Sequence, residues 1–161
     1  MVLSVIERNG FPANRLELEL TERSFGTDSD EALRQVQRLR EAGIRIAIDD
    51  FGTGYSALSL LHRLPVDTIK IDRSFIMAME KEPNVLSIIE AISFMARSLG
   101  KRIVAEGIEK SSSLAALLQM GPMDYQGYLL SRPIDSSKVK DALREWRSGI
   151  SMPMALDRKD S

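Results

Sequence analysis

Residues 44–58 read IRIAIDDFGTGYSAL, and the fold follows from how this stretch is built. Ile44, Ile46 and Ile48 alternate with Arg45 and Ala47, which predicts a strand over 44–48 with one apolar face. The strand ends in the acidic pair Asp49-Asp50, and the Gly-containing turn FGTGYS leads into a short helix over about Ala57–Arg63. A strand, a tight turn and a helix make one βα unit. The same unit recurs on both sides.

Upstream, LELEL (16–20) alternates strictly and so has two different faces. A helix follows over about Asp28–Ala42, with Thr27 or Asp28 as its N-cap and Gly43 in the C-cap position. Residues 1–9 predict one more helix, ahead of the first strand. Downstream, Thr68–Ile71 predicts a strand ending at Asp72. A long helix over Val85–Leu99 carries Ile88, Ile89, Ile92, Met95, Ala96 and Leu99 on a wide apolar face. Arg102–Ala105 predicts a strand ending at Glu106. Ser111–Ser113 predicts the N-cap of a helix to about Met120, stopped by Gly121-Pro122. A short strand over Met123–Gln126 and a helix over Ser136–Arg147 complete the series. Residues 1–148 form one domain in this reading, and the Pro-, Met- and charge-mixed segment 149–161 a disordered tail.

Five β-then-α units in a row predict a parallel sheet in an α/β fold. With right-handed crossovers two architectures stay open, a doubly wound sheet and an arc of a TIM-type (β/α)8 barrel.

Composition narrows the chemistry. The chain has 161 residues, 22 Lys or Arg against 23 Asp or Glu, one His and no Cys. The charge balance offers no footprint for DNA or RNA. Without Cys there is no thiol nucleophile or disulfide framework, and one His makes a His-rich metal site or a spare-His triad a poor fit. No apolar run approaches the length of a membrane span, so the expected location is cytoplasmic.

Most strands end in polar side chains: Glu19 with Glu22, Asp49 with Asp50, Lys70 with Asp72, Glu106, and Gln126 on the fifth. In parallel α/β folds the carboxyl ends of the strands meet on one rim, where ligands bind. Carboxylates gathered there repel unless a cation sits among them, and hard oxygens suit Mg²⁺, Mn²⁺ or Ca²⁺ rather than zinc. Such a site suits phosphodiester hydrolysis, with Lys70 aligning water or offsetting phosphate charge. The plainer reading is that strand-end acids N-cap the next helix. It fits the Asp49-Asp50 pair less well, since one cap is enough. His62 beside Arg63 reads as a surface residue, the Met residues as core filling and Trp146 as packing on the domain.

The segments LELELTE (16–22), DDFGTGYSAL (49–58), KIDRSF (70–75), VAEGIE (104–109) and QGYLLSRP (126–133) resemble, in this order and at these spacings, the EAL-domain phosphodiesterases that hydrolyse cyclic di-GMP. The resemblance runs from about Gly10 to Ala142 and covers the carboxyl-terminal two-thirds of that domain. The family's Glu-Ala-Leu segment and its Asn-containing strand lie upstream of everything here. The resemblance implies a partial (β/α)8 barrel and a two-metal site for Mg²⁺ or Mn²⁺. In it Glu19, Asp49 (bridging), Asp50 and Glu106 are metal ligands, and Lys70 holds the water or the phosphate. Glu109 supports Glu106, and Gln126 stands against the site. Glu22, with Gly52 and Gly54, stabilises the DFGTGYS loop, which the family also uses in dimerisation. The turn GPMDYQGY (121–128) departs from the family in the place of its Asp.

An arc of about five units leaves two strand edges unpaired and the inner faces of the Ile44 and Arg102 strands uncovered. Self-association, exchange of elements or rearrangement to an open sheet is therefore expected, with a homo-oligomer such as a dimer as the partner state. Two functions stay open: metal-dependent hydrolysis of cyclic di-GMP to linear pGpG with missing ligands supplied by another chain or a longer parent, or an inactive EAL remnant that binds nucleotide or protein. A receiver-like phosphoacceptor fits poorly, because the acidic pair and Lys70 lie on neighbouring strands.

Overall fold

The computed structural model describes residues 1–21, 29–52 and 65–147. Its strands are β1 (Glu17–Thr21), β2 (Arg45–Phe51), β3 (Thr68–Ile71), β4 (Arg102–Ala105) and β5 (Asp124–Tyr125). All adjacent pairs are parallel, in the order β1-β2-β3-β4-β5. That order never reverses. With right-handed crossovers every connection then lies on the same side, as in a barrel wall and unlike a doubly wound sheet. The architecture left open by the sequence is thus the arc of a barrel.

Register explains the two faces. Leu18, Leu20, Ile46, Ile48, Ile69, Ile71, Ile103 and Ala105 belong to one layer that packs in the core. Each Ile sealed there contributes about 2 kcal/mol through area removed from water. Glu17, Glu19, Arg45, Ala47, Thr68, Lys70, Arg102 and Val104 occupy the opposite, concave face. The strict alternation read in 16–20 and 44–48 is this division. The inner face is therefore mostly polar, with Ala47, Thr68 and Lys70 buried and Arg45 and Arg102 exposed.

The helices are α1 (Val2–Arg8), α2 (Ser29–Glu41), α3 (Arg73–Ala78), α4 (Pro83–Ser98), α5 (Ser111–Leu118) and α6 (Val139–Arg147), the last preceded by a 3₁₀ turn at Ser136–Lys138. The C-cap read at Gly43 is present: its φ is 93°, and Ile44 N–H donates to Leu39 O at 3.1 Å. The short helix α3 was not foreseen. Asp72 starts it by accepting from Ser74 N–H at 2.9 Å, the plain capping role for a strand-end acid.

Three expectations need correction. Pro83 is the first residue of α4, where its missing N–H costs nothing. On that helix Ile89, Ile92, Ser93 and Ala96 are buried, whereas Ile88 and Leu99 are exposed, because the buried stripe is narrower than the apolar one. The Ser111–Ser113 cluster does not cap α5, whose N-cap is Lys110. Ser113 Oγ instead donates to Glu80 Oε1 at 2.7 Å, with Lys110 pairing the same carboxylate. The capping pair Thr27/Asp28, Glu22, Gly54, the helix over 57–63 with His62, the side chain of Trp146 and the segment 149–161 lie outside the described residues.

Candidate active site

The sheet brings three carboxylates from three strands onto one ammonium. Lys70 Nζ lies 2.6 Å from Glu19 Oε1, 2.8 Å from Glu106 Oε1 and 3.2 Å from Asp49 Oδ1. Glu19 stands on β1, Asp49 near the end of β2, Lys70 on β3 and Glu106 just past β4, where its N–H donates to Ile71 O. The Lys70 side chain is 7% exposed, Glu106 17%, Asp49 25% and Glu19 52%, so the ring opens toward solvent on the β1 side.

Burial by itself would drive proton loss from Lys70. The bonds to Glu106 and Glu19, the charge of Glu106 and the bond to Asp49 outweigh it and hold the ammonium well above the ordinary lysine range. Burial pushes the Glu106 carboxyl above its ordinary value; Lys70 pulls it down, and the charges of Asp49 and Glu19 push it up again, leaving it raised. Three carboxylates against one ammonium leave the ring with an excess of negative charge.

Asp50 departs from strand geometry. The ladder shifts between Ile48 and Phe51, and Asp50 takes a φ of 55°, a left-handed conformation that costs a non-Gly residue about 1–2 kcal/mol. Its N–H donates to Asp49 Oδ1 at 3.1 Å, which fixes the carboxylate of its neighbour. Gly52 follows with a φ of 97°, and a Cβ there would stand 2.9 Å from the Phe75 ring.

Gln126 and Glu109 are not among the side chains that contact Lys70. They line a cleft of about 380 Å³ together with Arg73, Tyr128 and Arg132. The Arg132 guanidinium stacks on Tyr128, 4.8 Å from the ring centroid, a pair that offers both charge and a flat face. Gln126 is held by its backbone: its N–H donates to Ala105 O, and its O accepts from Ile108 N–H. No strand-end signal pointed to Arg73, Tyr128 or Arg132, because their meeting depends on how the loop after β5 folds back.

Donor chemistry bears on a cation. Glu19, Asp49 and Glu106 supply hard oxygens of the kind that Mg²⁺ or Mn²⁺ prefer. Among the described residues no group of three or more acidic or His side chains is arranged to hold a metal ion by itself. The oxygens are drawn in around Lys70 Nζ instead. The residues fit a divalent cation in type and in excess charge, with Lys70 as the cation they now share.

A sequentially ordered parallel arc with acidic side chains gathered round a lysine is the wall of a (β/α)8-type domain. The EAL-domain family profile matches residues 1–133, and the chain belongs to that family. It is 41% identical over 153 residues to the cyclic di-GMP phosphodiesterase NbdA of Pseudomonas aeruginosa, which covers 95% of this chain and 20% of NbdA. The chain thus spans about a fifth of the length of the curated relatives it matches. Among solved structures, the EAL domain of Mycobacterium smegmatis DcpA aligns with a TM-score of 0.83 and 40% identity, covering 89% of this chain and 65% of that one. Klebsiella pneumoniae BlrP1, solved as a manganese and cyclic di-GMP complex, aligns with a TM-score of 0.76 and 33% identity, covering 82% and 34%. No helix among the described residues is long and apolar enough to cross a membrane.

Proposed function

We propose that this chain carries part of the active centre of a metal-dependent phosphodiesterase that opens cyclic di-GMP to linear pGpG. One observation carries the reading: Glu19, Asp49 and Glu106, from separate strand ends, converge within 3.2 Å on one buried lysine. Family membership and the cyclic di-GMP complex of a relative at 33% identity support it.

In this reading Glu19, Asp49, Asp50 and Glu106 hold Mg²⁺ or Mn²⁺, which when bound supplies Lewis acidity and a more acidic water. Lys70 stays charged and works as a fixed cation that orients the water and offsets phosphate charge. Glu106, 2.8 Å from Lys70 Nζ, completes the shell around the cation and that water. Glu22, Gly52 and Gly54 support the loop after β2. Glu109 supports Glu106, while Gln126 and the Arg132–Tyr128 pair meet the dinucleotide, whose anionic phosphates suit the guanidinium and whose flat bases suit the ring. Hydrolysis consumes one water and breaks one phosphodiester bond. The chain acts as a dimer in the cytoplasm.

The test is turnover of cyclic di-GMP with Mg²⁺ or Mn²⁺, followed by chromatography. Linear pGpG is expected, and it should vanish in Asp49→Asn. No product together with no calorimetric uptake of the dinucleotide overturns the reading, and uptake without product would leave a binding module.

A further inference from the structure

The carboxylate ring depends on β1, which among the described residues pairs with a single neighbour, β2. Two side chains on the concave face of β1 reach past that neighbour. Glu19 meets Lys70 of β3. Two residues earlier, Glu17 Oε2 accepts a hydrogen bond from Thr68 Oγ1, also on β3, at 2.9 Å. The same oxygen lies 3.6 Å from Arg102 Nη1 on β4 and 3.7 Å from Arg45 Nε on β2. Arg102 continues to Asp124 Oδ2 on β5 at 2.6 Å, so a chain of polar contacts runs across all five strands.

The passage over β2 opens at Ala47. The ladder pairs Ala47 with Glu19 on one side and with Thr68 on the other. A methyl group there leaves room for both carboxylates to cross. Thr68 is fully buried, which shields its bond from competing water.

Backbone pairing alone does not fix this arrangement. Sliding β1 along β2 by two residues keeps the apolar face inward, yet carries Glu19 about 6.6 Å from its place beside Lys70. In one direction the slip seats Arg15 against Arg45 and Arg102; in the other it leaves a Glu at Thr68 but brings Thr21 to Lys70, so only the native register satisfies both sites. We propose that Glu17 is a positioning residue for the carboxylate ring: bonded to Thr68 and flanked by Arg102, it fixes the register of β1 and so delivers Glu19 to Lys70. The inference concerns the ring whether or not it turns over substrate, and its link to metal affinity rests on the reading proposed above.

The experiment compares the chain with Glu17→Ala, the isosteric Thr68→Val, and the double variant. Hydrogen exchange is followed by mass spectrometry, and Mn²⁺ binding by calorimetry. Exchange should quicken in residues 16–21 while 68–71 and 102–105 keep their protection. Each single variant should weaken Mn²⁺ binding about tenfold, the usual effect of losing an outer partner of a ligand. The double should be no worse than the stronger single, since both remove one contact. Unchanged exchange at 16–21, a rise spread equally over all three strands, or additive losses would overturn the proposal. If the unsubstituted chain takes up no Mn²⁺, the metal reading falls and the exchange pattern alone decides the clamp.

Discussion

Replacing Lys70 by Met takes away the ammonium that Glu19, Asp49 and Glu106 share and leaves three carboxylates facing one another. Breaking a buried charge cluster costs about 3–5 kcal/mol, and the 52% exposure of Glu19 places this case at the low end. Urea unfolding of Lys70→Met at neutral pH should therefore show a loss of about 3 kcal/mol. Millimolar Mn²⁺ should then raise its Tm more than that of the unsubstituted chain, because a divalent cation relieves the repulsion the ammonium once relieved. An equal shift in both proteins would contradict the ring as an oxygen site. A second residue acts through space alone. A Cβ on Gly127 would overlap the backbone O and N of Ile108, atoms that bond to Leu129 and Gln126. Gly127→Ala should cost about 3 kcal/mol through forced backbone movement, measurable by the same unfolding curve. At this scale the ring members Glu19, Asp49, Lys70 and Glu106 were legible, because parallel strands put their ends on one rim. Glu17 had the same signal, its place on the Glu19 face of an alternating strand, but its partners depend on cross-strand register. The left-handed turn at Asp50 was not legible, because Asp tolerates that region better than most residues without requiring it.

Between elements, the join of α2 to the sheet turns on Asp67. Its carboxylate accepts from Arg40 Nη2 at 2.7 Å and Nε at 3.2 Å, and from Ile46 N–H at 2.9 Å. Burial pushes this carboxyl up, but the bonds from Arg40 and Ile46 and the charges of Arg40 and Lys101 outweigh it and hold it below its ordinary value. A carboxyl held low in the fold adds stability that is fully present above the ordinary Asp range and lost as pH falls through the folded value. Asp67→Asn should therefore cost about 1 kcal/mol at pH 7, a modest figure because the pair is partly exposed. The gap between the two proteins should close as the pH drops below about 4, the ordinary Asp range. Thermal unfolding at a series of pH values checks it, and a gap that widens in acid would reverse the assignment. Element positions were mostly legible here because periodicity and Gly caps are local. What escaped was tertiary: α3 is six residues long and shows too little periodicity to read, and Ser113 turns away from a capping role because Glu80 offers it a better partner.

At the scale of the whole molecule, the arc resolves one tension and keeps another. Its concave face is mostly polar, with Glu17, Arg45, Arg102 and Asp124 joined in ion pairs, so that face tolerates water without a covering layer. The edges are a separate matter, because a polar side chain does nothing for an unpaired backbone group. Among the described residues β1 and β5 are the terminal strands, and β5 is two residues long against five in β1. Arg45 N–H donates to Leu16 O, so in a parallel ladder the backbone groups of residues 17 and 19 point away from β2. A row of this kind is a template for another strand. The exposed Phe94 and Ile88 on α4 add apolar surface for a second chain. Light scattering should give a mass near twice the 18.0 kDa of one chain, falling toward one chain on dilution. The Tm should fall with it, since association stabilises the folded state by mass action. A single-chain mass at every concentration, with a constant Tm, would mean that the edge is tolerated as it stands and that the polar inner face removes enough of the cost of opening a barrel.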